Sequence, residues 1–266
     1  MALQVYERDV KAIESDGRAS ATHSLRAGTT TIRVLPPYSK KGLWYRRIHE
    51  YYFRLGQSHV FMPSPRDYGD PDPIWDYCDE VFASGDKQKM EVVKEWRPRE
   101  VYLINAFIFS EPEQQKPYES VVALKIPKKV QRMLKTLDID ASTGYGDITH
   151  LHNGYNINVN KTGKGLTTEY QVNPHRAASN LFEELKKRGL DLNAMTLHNL
   201  DEVYPAKPTV EVQDILDTLL GAFSSSNLTP VGAAIQKAEA PLEVTTTGGI
   251  AGVPFALEGL EAPPQD

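Results

Sequence analysis

Four apolar-rich stretches stand out along the chain: TTTIRVL (29–35), LWYRRIHEYYFRL (43–55), VYLINAFIF (101–109) and SVVALKI (120–126). Each is dense in β-branched and aromatic residues and bounded by turn formers, the pattern of strands. The second has no clean apolar face. Aromatic and basic residues occupy both of its parities, as in a strand with one core side and one ligand side, and the alternation alone does not say which is which. Helical spacing replaces strand spacing elsewhere. PIWDYCDEVFAS (73–84) opens with proline, as a first helical turn allows, and KQKMEVVKEW (87–96) follows it. PKKVQRMLKTL (127–137) sets Val130, Met133, Leu134 and Leu137 on one face, and SNLFEELKKRGL (179–190) ends at Gly189, a residue suited to a C-terminal cap. TVEVQDILDTLLGAF (209–223) is an acidic amphipathic helix with Val212, Ile215, Leu216, Leu219 and Leu220 inward. INVNKTGKGLTTEYQV (157–172) predicts a hairpin turning at Gly163-Lys164-Gly165.

These elements divide the chain into an N-terminal arm (1–29), a mixed α+β core (30–208) with a subdomain at about 62–96, the 209–223 helix, and a tail from 224 to 266. The tail is rich in Ser, Gly, Pro, Ala and Thr and is expected to be flexible. No stretch approaches the roughly 20 apolar residues of a membrane helix, and the charged first residues do not resemble a secretion signal. One cysteine, Cys78, leaves no internal disulfide and no multi-cysteine zinc site, which fits a reducing cytosol.

Charge sharpens this division. Net charge is -5, yet residues 209–266 hold one base (Lys237) and eight acids; their removal leaves +2 for the body. Between Ile32 and Phe61 six bases (Arg33, Lys40, Lys41, Arg46, Arg47, Arg54) face one acid, Glu50, among seven aromatics. Cations neutralise phosphates and aromatic faces stack on unpaired bases, so the mixture suits a groove for single-stranded nucleic acid. The opposing reading is that aromatics on strands are core and their basic neighbours a solvated face. Arg97, Arg99 and Tyr102 extend the same character, as do Lys125, Lys128 and Lys129.

Other motifs carry less. The Gly163-Lys164-Gly165 turn lacks the spaced first glycine and following Ser/Thr of a phosphate loop. His150 and His152 have no third ligand at a useful spacing. Asp67, Asp70 and Asp72, set among Gly69, Pro71 and Pro73, read as turn and cap residues, with a metal-dependent nuclease as the alternative. No nucleophile–base pair is visible, so no catalytic residue is assigned.

TTTIRVLPP, YGDPDPIWDY, RPREVYLINAF and YGDITHLHNGYNINVNKTGKGLTTEYQVNP, in that order from about Thr30 to Pro205, resemble the gene-32-type single-stranded-DNA-binding proteins of tailed phages. The resemblance implies an OB-fold, a small Greek-key barrel whose groove holds single strands, and DNA contacts at Arg97, Arg99 and Tyr102. Many members fold a subdomain around zinc through one His and three Cys. Here the His is His49 and the cysteine positions read Met62 (or Ser64), Asp72 and Trp75, which predicts no cofactor and a subdomain held by packing of Trp75, Tyr77 and Phe61. The family's basic N-terminal arm is matched by one with four bases and four acids, an arm not suited to strong cooperativity.

Together these observations predict a non-enzymatic, sequence-independent binder of single-stranded DNA in phage replication, recombination and repair, in the cytoplasm of the infected bacterium. Stacking falls to Trp44, Tyr45, Tyr51, Phe53, Tyr102 and Tyr145. Phosphate contacts fall to Arg33, Lys40, Lys41, Arg46, Arg47, Arg54, Arg97, Arg99, Lys161 and Lys164. Phe255, Leu257 and Leu260 in the acidic tail are expected to dock phage or host replication and recombination proteins. An OB-fold interaction or virion protein without DNA binding is a further alternative.

Overall fold

A computed structural model of the chain describes residues 22–39, 42–55, 58–114 and 116–225. Within these residues eight strands form one connected sheet: β1 (Thr22–Ser24), β2 (Gly28–Val34), β3 (Tyr45–Leu55), β4 (Ser58–Pro63), β5 (Arg99–Ser110), β6 (Val122–Pro127), β7 (Ile157–Thr162) and β8 (Glu169–Pro174). Among the described residues five α-helices accompany them: α1 (Pro73–Ser84), α2 (Lys87–Val93), α3 (Lys128–Ile139), α4 (Leu181–Lys186) and α5 (Thr209–Ser225). The four predicted strands, the hairpin and the five helices are all present. Strands β1 and β4 are additions to the sequence reading. Among the described residues no helix is long and apolar enough to cross a membrane. The N-terminal arm up to residue 21 and the tail from 226 lie outside the described residues, and with them Phe255, Leu257 and Leu260.

The main path runs β1-β6-β5-β2-β7-β8. Strands β7, β2, β5 and β6 lie side by side and antiparallel in the spatial order 4-1-2-3, a Greek key whose fourth strand returns through α3 to lie beside the first. Among the described residues no pairing joins β8 back to β1, so the path is open. Its strands nevertheless share one core. Ile32 and Val34 of β2, Ile104 and Ile108 of β5, Leu124 and Ile126 of β6, and Ile157 and Val159 of β7 are buried together, with Val130 and Leu134 of α3 packed on them.

Strand β5 carries two partners along one edge. Its C-terminal half pairs with β2 and its N-terminal half with β3, while β6 covers the other edge. Strand β3 runs on past β5, and there only β4 continues to pair with it. One face of that projecting hairpin (Tyr51, Phe53, Met62) packs on Ile74, Cys78 and Val81 of α1 and on Val212, Leu216 and Leu219 of α5. Helix α5, predicted as a segment of its own, is thus part of the core of the 62–96 subdomain.

Arg33 is fully buried, which corrects its assignment as a phosphate contact. Its Nε donates to Asn156 Oδ1 at 3.0 Å, and its Nη atoms donate to the Ser179 carbonyl and hydroxyl and the His150 carbonyl, with Glu184 at 4.0 Å. A Cβ on Gly154 would stand 2.4 Å from Arg33 Nη1, so only glycine leaves room for the guanidinium. A buried charge persists only when its donors are met in this way. Arg33 therefore staples β2 to the 148–156 loop and to the start of α4. Arg33→Ala takes the guanidinium donors from these acceptors and leaves Glu184 with Asn156 Nδ2 but without its cation, and is expected to cost about 3–5 kcal/mol in urea unfolding.

Candidate nucleic-acid interface

Alternate residues of a strand point to opposite faces, so β3 sorts its own aromatics and bases into two sets. Tyr45, Arg47, His49, Tyr51 and Phe53 share one face; Arg46, Ile48, Glu50, Tyr52 and Arg54 share the other. Tyr51 and Phe53 stack on each other at 5.3 Å inside the helical core. Neither leaves a ring face for a base, and both are corrected from stacking residues to core. Trp44 is also core, its Nε1 donating to Asp138 Oδ2 at 3.0 Å. Tyr102 is buried beside it and donates to Glu100; burial and that carboxylate push its phenol up to about 12. Half-buried Tyr45 meets Trp44 and Tyr102 edge-on, at 4.9 and 5.6 Å.

The second face of the β3–β4 hairpin is open. Tyr52 is 39% exposed and Phe61, its cross-strand partner, 55% exposed, their centroids 4.8 Å apart. His59 lies parallel to Tyr52 at 5.5 Å, with Tyr52 OH 2.7 Å from its Nδ1. Phe61 therefore does not help to hold the helical subdomain as predicted. Exposed Arg54 is paired with His59, and exposed Arg99 lies opposite Glu50 on β5. Lys125 of β6 stands 5.7 Å above the Phe61 ring and 5.4 Å from that of Tyr204. Glu50, buried below, accepts from Lys125 Nζ at 2.5 Å and from Tyr204 OH at 2.7 Å. Burial and the Glu50 carboxylate hold the Tyr204 phenol well above its ordinary value. The result is a three-ring aromatic surface rimmed by Arg54, Arg99 and Lys125, able to stack planar groups and bind anions.

Sequence reasoning took Tyr51 and Phe53 of β3 as ligand-facing, where the structure buries both and exposes Tyr52, and it did not single out His59 or Tyr204. A usable signal was present in SHVFMP: Val60 and Met62 at a spacing of two mark the core side of a second strand, and so leave His59 and Phe61 on the other.

The remaining predicted residues are dispersed. Arg46 lies on the open face but is largely covered, donating to the Leu200 carbonyl and pairing with Asp201. Arg47 is exposed on the opposite face, within electrostatic reach of Glu100, which also accepts from Lys128. Arg97 lies over the Phe82 ring at 4.1 Å and pairs with Asp79, on the helical subdomain. Tyr145 meets Tyr155 edge-on at 4.9 Å. Lys161 donates to the Leu25 carbonyl at 2.9 Å, and Lys164 is exposed in the β7–β8 turn. That turn is opposite the start of β2. Thr31 pairs with Ser110 and Glu50 with Arg99, so the hairpin and the aromatic surface stand at opposite ends of β5, roughly 35 Å apart along the strand. Lys40 and Lys41 lie outside the described residues.

The positions expected to replace a zinc site form a hydrogen-bonded cluster. Buried Asp72 caps α1 by accepting from Trp75 N at 3.1 Å, and its other oxygen accepts from Tyr51 OH at 2.8 Å and from the Ser64 hydroxyl. His49 Nδ1 is 3.0 Å from Asp67 Oδ1, and its ring meets Trp75 edge-on at 5.1 Å. Burial pushes the Cys78 thiol up to about 11, away from the thiolate form that metals bind. This donor set does not fit zinc. Among the described residues no three His, Cys, Asp or Glu gather as a metal site. Asp67 and Asp72 are engaged in the fold, and Asp70 is exposed.

Comparison with known proteins gives one family. The model described as gp32 DNA-binding-protein-like matches residues 26–204. No curated protein matches the chain significantly.

Because hydrogen bonds to Asp72 stand where a metal would, chelator treatment is expected to leave the melting temperature unchanged. Asp72→Ala is expected to remove about 2 kcal/mol, lowering the melting temperature by roughly 4–8 °C, read by circular dichroism.

Proposed function

Since the chain belongs to the gp32 DNA-binding-protein-like family, we propose that it binds single-stranded DNA without sequence preference, through the open face of the β3–β4 hairpin. The observation that carries this reading is the exposed Tyr52–Phe61 pair, with His59 beside it and Arg54, Arg99 and Lys125 around it. Every base has a π-face, so stacking is indifferent to sequence, and the bases of a duplex are not available for it.

The strand order supports an OB-fold. Taking β2, β5, β6, β7 and β8 as strands one to five, the sheet reads 3-2-1-4-5 with α3 between the third and fourth. OB-folds take oligonucleotides on the face of strands two and three and on the loops joining one to two and four to five. In this chain the first of those connections carries the aromatic hairpin and the second carries Lys164. A single strand running from one to the other follows β5 and β6, past Lys125.

In this reading the protein covers single strands and is not an enzyme. Its setting is phage DNA replication, recombination and repair in the host cytoplasm. The net charge of -4 over residues 224–266 (five acids, one base) suits a segment that competes with DNA for the basic face, and Phe255, Leu257 and Leu260 supply apolar contacts for replication and recombination partners.

Tyr52→Ala and Phe61→Ala are each expected to weaken oligo-dT binding by about 1–3 kcal/mol in a fluorescence titration while leaving the melting temperature nearly unchanged. Log K is expected to fall with log salt by about 0.7 per phosphate neutralised. Binding that ignores salt, or that prefers duplex, removes this reading.

A further inference from the structure

Two cations stand in one row across the open face, because Arg46 of β3 pairs with Leu103 of β5 and Leu103 with Lys125 of β6. Each is matched by an acid, and the two acids differ. Glu50, the partner of Lys125, is buried and also holds Tyr204, so it is fixed in place. Asp201, the partner of Arg46, stands 2.6 Å from Nη1 with its side chain 78% exposed.

The guanidinium does not depend on Asp201 for its position. Nη2 donates to the Asp67 carbonyl at 3.2 Å, Nη1 to the Leu200 carbonyl at 3.4 Å, and the group lies 4.5 Å from the centre of the Tyr68 ring. Arg46 itself is only 16% exposed, so a preset cation is capped by one solvent-facing carboxylate. Nor does the backbone around Asp201 depend on its carboxylate. Asn199 organises that turn, its Oδ1 accepting from Asp201 N at 3.1 Å and its carbonyl accepting from the amides of Glu202 and Val203.

We propose that Arg46 is a phosphate-binding site, and that in the DNA-free protein Asp201 fills it in the place of a backbone phosphate. A phosphate offers Arg46 the same anionic oxygens as the carboxylate. Asp201 is the solvent-facing member of the pair, so water screens its hold on Arg46 and can receive its carboxylate when a tethered strand displaces it. The Asp201 carboxylate then swings into solvent and Arg46 stays where it is. This inference rests on the single-strand reading above and adds to it a residue whose charge opposes binding from within the folded core.

The test is a double-mutant cycle on the full chain, with Asp201→Asn, Arg46→Gln and the pair titrated with oligo-dT at several salt concentrations. Asp201→Asn is expected to tighten binding about two- to five-fold at low salt and to steepen the salt slope by about 0.7. Neither change is expected in the Arg46→Gln background. Unchanged affinity and slope in Asp201→Asn overturn the proposal, as does equal tightening with Arg46 absent, which points to bulk charge alone. Melting curves of all four proteins identify a variant that has lost its fold; if Arg46→Gln does, the uncharged Arg46→Met takes its place in the cycle. A wild type that does not bind oligo-dT sinks the single-strand reading instead. The cycle is then read with tripolyphosphate, where the same ranking of the four proteins supports the Arg46 site and equal affinities overturn it.

Discussion

The pleat of strand β3 is the constraint on which the rest of the molecule depends. A strand cannot turn two neighbouring side chains the same way, so the run Glu50-Tyr51-Tyr52-Phe53-Arg54 must divide between two surroundings. Pairing of β3 with β5 fixes the division for the first half of the strand, and pairing with β4 carries it past the edge of β5. Tyr51 and Phe53 then become the wall of a helical subdomain, and Tyr52 and Arg54 its solvent side. A slip of one residue would bury an arginine in that subdomain and expose its packing rings.

Buried polar clusters guard the register. Arg33 joins β2 to the loop before β7, Glu50 joins β3 to β6 and to Tyr204, and Asp72 joins β3 to the start of α1. Each satisfies its donors and acceptors only when the strands are correctly aligned, and a misaligned strand leaves a buried charge unpaired. The apolar clusters on either side supply the larger area but tolerate exchange of one aliphatic side chain for another. Specificity of alignment therefore falls to the polar residues.

Much of this was legible in the chain. The helices were readable because Pro73, Asp72 and Gly189 mark their ends chemically and because Val130 and Leu134 repeat at helical spacing. The β7–β8 hairpin was readable from Gly163, where a Cβ would meet the Thr167 carbonyl at 2.2 Å and where φ is positive. The site was only half readable. Basic and aromatic residues gather between Ile32 and Phe61 in the sequence, but their directions are set by partners that are distant in it: Met62 against Tyr51, Asn156 and Ser179 around Arg33, Asp138 under Trp44. Local composition shows that a face exists. It does not carry the long-range contacts that choose the parity.

The two faces of the hairpin are also mechanically coupled. Tyr52 and Phe61 project from strands whose opposite side chains, Tyr51 and Met62, are fully buried, and Tyr51 is tied through its hydroxyl to Asp72 at the start of α1. A ring on a projecting two-stranded ribbon would otherwise move with the ribbon, since such a ribbon is marginal alone. With one face clamped to α1 and α5, the open face is held before any ligand arrives, and binding need not meet the cost of ordering it. The resemblance implies, for many of the chains it covers, a zinc site in this subdomain. In this chain a carboxylate, a phenol and a hydroxyl stand at that point, so the rigidity that presents Tyr52 and Phe61 comes from hydrogen bonds to Asp72.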